Sequence, residues 1–313
     1  MSRTYKTTGV NLKSMPLGES DRLLTILTQE FGLIRVVAPG SRKPNSKMVG
    51  RSGLFVVNEL LISSGRSLDK ILQAETLESY PGLSKDLARL TASQYLAELV
   101  LIQALSEQSQ VDLFWLFCEH LSRLERSPQA KVLAYLAQGI FHLLAWFGIA
   151  PQVQICCNTQ QSIVPDLTNP NWRVEFNAAA GGILGLPADG AAAPISIQPR
   201  QQRVAEALNL PSHRTLDNET KPPIGSSMRL NAIELSLLQQ LAQPNLCSGS
   251  PLPEIELDQQ LAAAALSQPA WLAVERALRL YAQYHFDRPI RSAALIDACF
   301  FALTRASYPL CDS

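Results

Sequence analysis

At Pro81 the spacing of apolar residues changes, and this one change constrains the fold more than any other feature of the chain. Upstream lie five runs rich in Val, Ile, Leu and Thr: Tyr5 to Leu12, Asp21 to Thr28, Leu33 to Ala38, Gly53 to Ser63 and Ser67 to Leu77. Turn formers separate them, namely Pro16-Leu17-Gly18, Glu30-Phe31-Gly32, Pro39-Gly40-Ser41 and Ser64-Gly65-Arg66. Downstream, Leu83, Leu87, Leu90, Tyr95, Leu96, Leu99 and Ile102 recur at the spacing of one helix face. The chain therefore reads as α+β, with a five-stranded module over residues 1–80 and a helical domain over 81–313. Alternation in the strands is imperfect, which predicts that some bury both faces. Five short strands in so few residues suit a closed barrel, because closure removes exposed edges. Pattern alone does not choose between an OB and an SH3 barrel.

Two further helices are expected at Val111 to Glu125 and Gln129 to Phe147, giving with the first a bundle-like core. Val132 to Ala150 carries no charge, so its length raises the question of a membrane span. Lys131, Tyr135, Gln138 and His142 answer it: at spacings of three and four they form one polar stripe on an otherwise apolar, buried helix. Gly148 and then Pro151 supply the stop. From Ala150 to Arg200 the signal degrades into irregular or short-strand structure. Helical spacing returns at Gln201 to Leu210, Arg229 to Ala242, Pro269 to Phe286 and Ser292 to Arg305, joined by mobile Pro-rich links at Pro211 to Ser227 and Pro244 to Pro253.

Composition limits the function. In 313 residues, 47% are hydrophobic and 27 Lys and Arg balance 27 Asp and Glu, so the chain can bury sizeable cores and is no polycation. The N-terminus has no apolar segment after its basic residues, which predicts a cytoplasmic location. Six cysteines are too few for a disulfide scaffold. No GxxxxGK[ST], GxGxxG, HExxH or GxSxG occurs, and Gly181-Gly182-Ile183-Leu184-Gly185 reads as a turn. His120, His142, His213 and His285 lack metal or triad spacing, so core or surface roles are expected. Glu19 and Asp21, between Gly18 and Arg22, read as a solvated turn. Cys156 and Cys157 are adjacent and cannot easily bind one zinc alone, while Cys118, Cys247, Cys299 and Cys311 are scattered. No metal or other cofactor is expected.

One cluster stands out. Arg35, Arg42, Lys43, Lys47 and Arg51 lie within 17 residues that hold no acidic side chain, and most fall in the turn-rich, flexible piece Pro39 to Ser52. Residues 1–80 hold 11 Lys and Arg against 7 Asp and Glu although the whole chain is neutral. Such clustering fits phosphate contact, and equally a solubilising loop. The few aromatics here, Tyr5, Phe31, Phe55 and Tyr80, favour backbone contact over base stacking.

The order of these motifs resembles the RecO family of DNA repair and recombination mediators. Gly18-Glu19-Ser20-Asp21-Arg22-Leu23-Leu24, Thr28, Gly32 and Ala38-Pro39-Gly40-Ser41-Arg42 stand in the family's N-terminal order. Tyr95, Glu98, Leu99 and Leu113-Phe114 are similar to the next landmarks, and a Leu-rich helix then ends at Gly148-Ile149-Ala150-Pro151. The closing segment is Tyr284-His285-Phe286-Asp287-Arg288-Pro289-Ile290-Arg291-Ser292. The resemblance implies an N-terminal OB-fold and a helical domain, with a small insert at about 150–200 that in some members binds zinc through two CxxC pairs. Here those ligands are missing, because only Cys156 and Cys157 stand near the first pair and no cysteine lies in Leu184 to Asp189.

The resemblance also implies a non-enzymatic protein that binds single- and double-stranded DNA and anneals complementary strands. It works with RecR to help RecA displace single-strand-binding protein, in the cytoplasm at the nucleoid. On this reading Arg35, Arg42, Lys43, Lys47 and Arg51 neutralise the strands, with Arg22, Arg288 and Arg291 in a second rank. Arg288 and Arg291 have two alternative roles, meeting the acidic tail of single-strand-binding protein or a helix-capping or structural one. Two other classes stay open. A repair scaffold without DNA affinity would tolerate loss of the basic loop, and a nuclease would need the clustered carboxylates that the chain lacks.

Overall fold

The computed structural model describes residues 4–185, 226–241 and 268–306. The helix expected at Gln201 to Leu210 and most of both Pro-rich links lie outside them, as do His213, Cys247 and Cys311. The chain divides into two compact units, one comprising Met1–Phe147 with Ile290–Ser313, the other Gly148–Pro289.

The first unit opens with a closed barrel of β1 (Thr4–Leu17), β2 (Asp21–Thr28), β3 (Gly32–Ala38), β4 (Val56–Ser63) and β5 (Asp69–Ser79), ordered β1-β2-β3-β5-β4. This is the five-stranded OB arrangement, and it decides between the two barrels that pattern left open. The 14-residue β1 is long enough to pair with both β2 and β4. It changes register between Asn11 and Lys13, as a bulge would, and so can bend from one partner toward the other. Every pairing is antiparallel except β3 with β5, which meet in parallel only at Val36–Asp69 and Val37–Lys70.

Leu24, Ile26, Val36, Ala38, Leu60, Ile62, Ile71 and Ala74 fill the barrel. On β2 the opposite face is buried too, at Leu23 and Leu27, because helices pack outside it; this accounts for the imperfect alternation. Between β3 and β4 the short helix α1 (Met48–Arg51) sets Met48 against the barrel core. Pro39 to Ser52 is therefore not simply the flexible loop expected from its turn residues. Successive bonds, Lys43 N–H to Gly40 O, Ser46 N–H to Lys43 O and Val49 N–H to Ser46 O, fold it into consecutive turns.

Three helices follow: α2 (Leu87–Gln103), α3 (Val111–Arg126) and α4 (Val132–Trp146). The Asp86 carboxylate accepts the Ala88 N–H and so caps α2. The connection between α2 and α3 is tied to the β2–β3 turn, where Leu33 N–H donates to Leu105 O (2.9 Å) and Gln110 N–H to Gln29 O (2.8 Å). Gly32, at φ +63°, is needed here, since a Cβ would lie 2.1 Å from the Leu105 carbonyl oxygen. The inner half of the polar stripe, Gln138 and His142, faces α3 rather than water, while Lys131 before α4 stays exposed. His142 Nδ1 lies 3.1 Å from His120 Nε2, and Arg123 donates to Gln138 Oε1 at 3.2 Å. Both histidines are buried, at 1% and 7% exposure, and burial pushes both imidazoles down, His142 to about 4, with the Arg123 charge adding to the shift. Among the described residues no helix is long and apolar enough to cross a membrane.

The unit closes with α7 (Ala293–Ala306), whose N-terminus is held by Glu98 of α2. That carboxylate accepts the Arg291 N–H (2.9 Å), the Ser292 N–H (2.8 Å) and the Ser292 hydroxyl (2.5 Å).

The second unit holds a three-stranded sheet, β7 (Gly182–Leu184), β6 (Arg173–Asn177) and β8 (Ser227–Asn231), followed by α5 (Ala232–Leu241) and α6 (Gln268–Phe286). The helix expected from Arg229 thus begins three residues later, and its first residues are strand. A reciprocal capping box fixes the switch: Glu234 N–H donates to Asn231 Oδ1 and Asn231 N–H to Glu234 Oε2, both at 2.9 Å. The core gathers Val174, Phe176, Leu230, Leu235, Trp271 and Leu278.

Candidate nucleic-acid interface

On β2 and β3 the side chains of Leu24, Ile26, Val36 and Ala38 point into the barrel, so Thr25, between the first two, and Arg35, next to Val36, point out. The register extends that row to β1, pairing Lys13 with Thr25 and Thr25 with Arg35. One row along, Val37 of β3 pairs with Lys70 of β5, again on the outer face because Ile71 points in. Lys13, Arg35 and Lys70 are all exposed. Strand spacing alone puts Lys13 and Arg35 about 10 Å apart at their Cα atoms.

Arg42 and Lys43 adjoin this face from the turn after β3. The β1–β2 turn and this turn are bonded together: Asp21 Oδ1 accepts the Gly40 N–H at 2.8 Å, the Arg42 N–H donates to Ser20 O at 2.9 Å, and the Arg42 guanidinium donates to Gly18 O at 2.8 Å. Asp21 is thus an organiser of the loop. The Gly40 N–H, the Ser20 hydroxyl and the nearby Lys43 and Lys70 charges hold its carboxyl below the usual carboxylate range. Lys43 and Lys70, remote in sequence, flank the same carboxylate.

Lys47 and Arg51 sit at the two ends of α1. The Arg51 carbonyl accepts from Asn11 Nδ2 (2.8 Å) and Asn58 Nδ2 (3.0 Å), which fixes its backbone. Lys47 is exposed and Arg51 half-buried. Arg22, half-buried, pairs with Pro16 and Ala38 at the barrel end. The basic residues are therefore not one loop cluster: Arg35 belongs to a strand face, Arg42 and Lys43 to the pinned turns, Lys47 and Arg51 to α1. None of the eight, Lys13 and Lys70 included, forms an ion pair among the described residues. The sequence reading missed Lys13 and Lys70, whose only signal was their outward place in strand alternation.

The aromatics offer little stacking surface. Phe55 and Tyr80 are buried, and Tyr5 packs edge-on against Phe31 at 4.8 Å while its hydroxyl donates to Asp69. Arg288 falls in the second unit and Arg291 in the first, both exposed, and the Arg291 N–H serves the α7 cap.

The insert does not fit zinc. The Cys156 thiol accepts the Gly185 N–H at 3.3 Å and the Thr159 N–H at 3.4 Å, and Cys157 is the only other cysteine among the described residues of the insert, short of the four ligands a structural zinc site takes. Burial alone would raise this thiol; the Gly185, Thr159 and Asn158 donors outweigh it and bring it to about 7. Among the described residues no three His, Cys, Asp or Glu side chains gather to hold a metal.

Comparison with known proteins fits this layout. The family model described as Recombination protein O N terminal matches residues 1–80, and that described as Recombination protein O C terminal matches residues 84–222. Proteins named DNA repair protein RecO align over nearly the whole chain. That of a Nostoc species is 53% identical over 306 residues, 96% of this chain and 98% of that protein. The Cyanothece protein is 54% identical over 312 residues, 98% and 99% of the two chains, and that of Acaryochloris marina 52% over 307 residues, 97% of each. With matches of this extent on an OB barrel followed by helices, the chain belongs to the RecO family of recombination proteins.

Proposed function

We propose that this chain, within the DNA repair and recombination role of its family, binds single- and double-stranded DNA without sequence specificity and anneals complementary strands. Together with RecR it helps load RecA onto DNA coated by single-strand-binding protein, in the cytoplasm at the nucleoid and without catalytic turnover. In this reading residues 1–80 are the DNA-binding module and 81–313 the helical domain, with the degenerate insert at about 150–200. Arg288 and Arg291 remain candidate contacts for single-strand-binding protein.

The observation that carries the reading is the outer barrel face, where Lys13, Arg35 and Lys70, with Arg42 and Lys43 adjoining and Lys47 on α1, are exposed and form no ion pair among the described residues. Exposed cations without a carboxylate partner release counterions from a phosphate backbone whatever its sequence. Six such contacts give a log-log salt slope of roughly −4 on single strands. Two strands drawn to one cationic surface repel each other less, which favours pairing.

The test is fluorescence anisotropy of a labelled oligothymidylate across salt concentrations, for the full chain and for the combined Lys13→Ala, Arg35→Ala, Lys70→Ala variant. The slope should shrink by about 2 in the variant. An unchanged slope would remove this face from the DNA path, and absence of binding in the unsubstituted chain at low salt would favour a scaffold role.

A further inference from the structure

The opposite side of the barrel has the reverse character. Across β1, β4 and β5 the register aligns Thr8, Glu59 and Glu75 in one outward row and Val10, Val57 and Glu78 in the next. Helix α3 runs beside these rows, leaving a groove of about 360 Å³ lined by Thr8, Val57, Leu77, Glu78, Phe114, Trp115 and Cys118. Two large apolar side chains stand open at it, Leu77 and Trp115, each 58% exposed. Trp115 is propped edge-to-face on Phe114, with ring centroids 5.3 Å apart.

The charges around the groove are of one sign. Glu59, Glu75 and Glu78 are exposed on the barrel, and Asp112 and Glu119 flank Trp115 on α3. Of these only Glu119 forms an ion pair among the described residues, with Arg123 at 2.7 Å. The Glu78 charge reaches the groove wall: after burial, it is one of the causes that push the Cys118 thiol up to about 12. Two lysines lie on this outer face beyond the acidic rows, Lys6 opposite Leu61 and Lys70 opposite Ser63.

Nothing in the proposed DNA contact uses this groove, and its carboxylates would repel a phosphate backbone. A second copy of the same face is disfavoured for the same reason, because it would set acid against acid. An exposed indole ringed by carboxylates suits a cationic side chain, which the ring face attracts and the acids hold nearby. We propose that the groove between the β4–β5 face and α3 docks a basic, extended segment of a partner protein, with an arginine or lysine side chain over the Trp115 ring and an apolar neighbour against Leu77. The partner would then be held away from Lys13 and Arg35 on β1 and β3, and at the far end of β5 from Lys70, leaving those cations free.

The experiment uses the full chain and a fluorescein-labelled peptide, Ser-Arg-Leu-Arg-Leu-Arg-Ser, with Ser-Glu-Leu-Glu-Leu-Glu-Ser as its control. Anisotropy gives Kd for the unsubstituted chain, for Trp115→Ala, and for Glu75→Gln combined with Glu78→Gln. Both changes alter exposed side chains, and circular dichroism verifies folding. Each should weaken binding about tenfold. The Lys13→Ala, Arg35→Ala, Lys70→Ala variant should bind the peptide as the unsubstituted chain does, and an oligothymidylate should not displace it. The inference is overturned if Trp115→Ala and the double Gln variant stay within twofold of the unsubstituted chain, or if the acidic peptide binds equally well. Displacement of the peptide by the oligonucleotide would overturn it too, as would sedimentation showing a dimer that Trp115→Ala dissolves.

Discussion

Acidifying the protein should destabilise the first unit through one buried contact, the His120–His142 pair between α3 and α4. Nε2 and Nδ1 lie 3.1 Å apart, one ring donating and the other accepting, and it is burial, with the nearby Arg123 charge, that disfavours a protonated ring here. The folded value of His142, about 4, lies below the roughly 6.5 of an unfolded histidine, so between these values the unfolded chain holds the extra proton. The stabilisation is complete above about pH 6.5 and is lost as pH falls toward 4. From pH 7 to pH 5 the loss from His142 alone is about 2 kcal/mol, and about 3 kcal/mol by pH 4. His120, shifted the same way, adds to it.

The assay is urea unfolding at pH 7, 6 and 5, for the unsubstituted chain and for His120→Leu combined with His142→Leu. The double variant removes both polar partners at similar volume, so near pH 7 it should differ little in stability. Subtracting its pH profile cancels the carboxylates elsewhere. A stability difference that stays constant from pH 7 to pH 5 would refute the argument, and so would imidazole resonances that titrate near 6.5 in the folded protein.

Two further changes test the fold that presents the cationic face. Gly32→Ala should cost about 1–3 kcal/mol, because its φ of +63° is strained for any side chain and the new methyl meets the Leu105 carbonyl; thermal unfolding within experimental error of the unsubstituted chain would refute the contact. Glu98→Ala should cost about 2 kcal/mol by uncapping α7, seen as faster amide exchange in its first turn, and exchange at unchanged rates would show the cap to be dispensable.

The barrel was legible because each hairpin carries its own punctuation. Gly18, Gly32 and Gly40 all adopt positive φ where the sequence predicted turns, so the limits of β2 and β3 followed closely, whereas β1 runs five residues past the expected Leu12 and takes in Pro16 and Leu17 of the expected turn. What a barrel does to side chains remote in sequence was not legible. Lys13 and Lys70 join Arg35 only through the β1–β2–β3 register and the two-residue β3–β5 pairing, neither of which the cluster from Arg35 to Arg51 announces. The His120–His142 contact was hidden likewise: a helical stripe shows that His142 lies on a polar face, not that another helix covers that face. The strand at Ser227–Asn231 lay next to a helix of strong period, and Asn231 with Glu234, a capping signature written in the sequence, was the overlooked mark of the boundary.

The seam between β3 and β5 has a consequence for how the cationic face behaves in time. Only Val36–Asp69 and Val37–Lys70 close the barrel there, whereas β4 and β5 pair along most of their length. Local opening should begin at the junction with the fewest ladder bonds to break, well below the cost of global unfolding. Arg35 and Lys70 stand on opposite lips of that junction. Each opening would move these charges away from each other while Lys13 and Arg35, linked through β2, keep their separation. If the proposed DNA contact holds, the face would act as a ruler with one fixed interval and one elastic interval, suited to the uneven phosphate spacing of a single strand as well as the regular rise of a duplex.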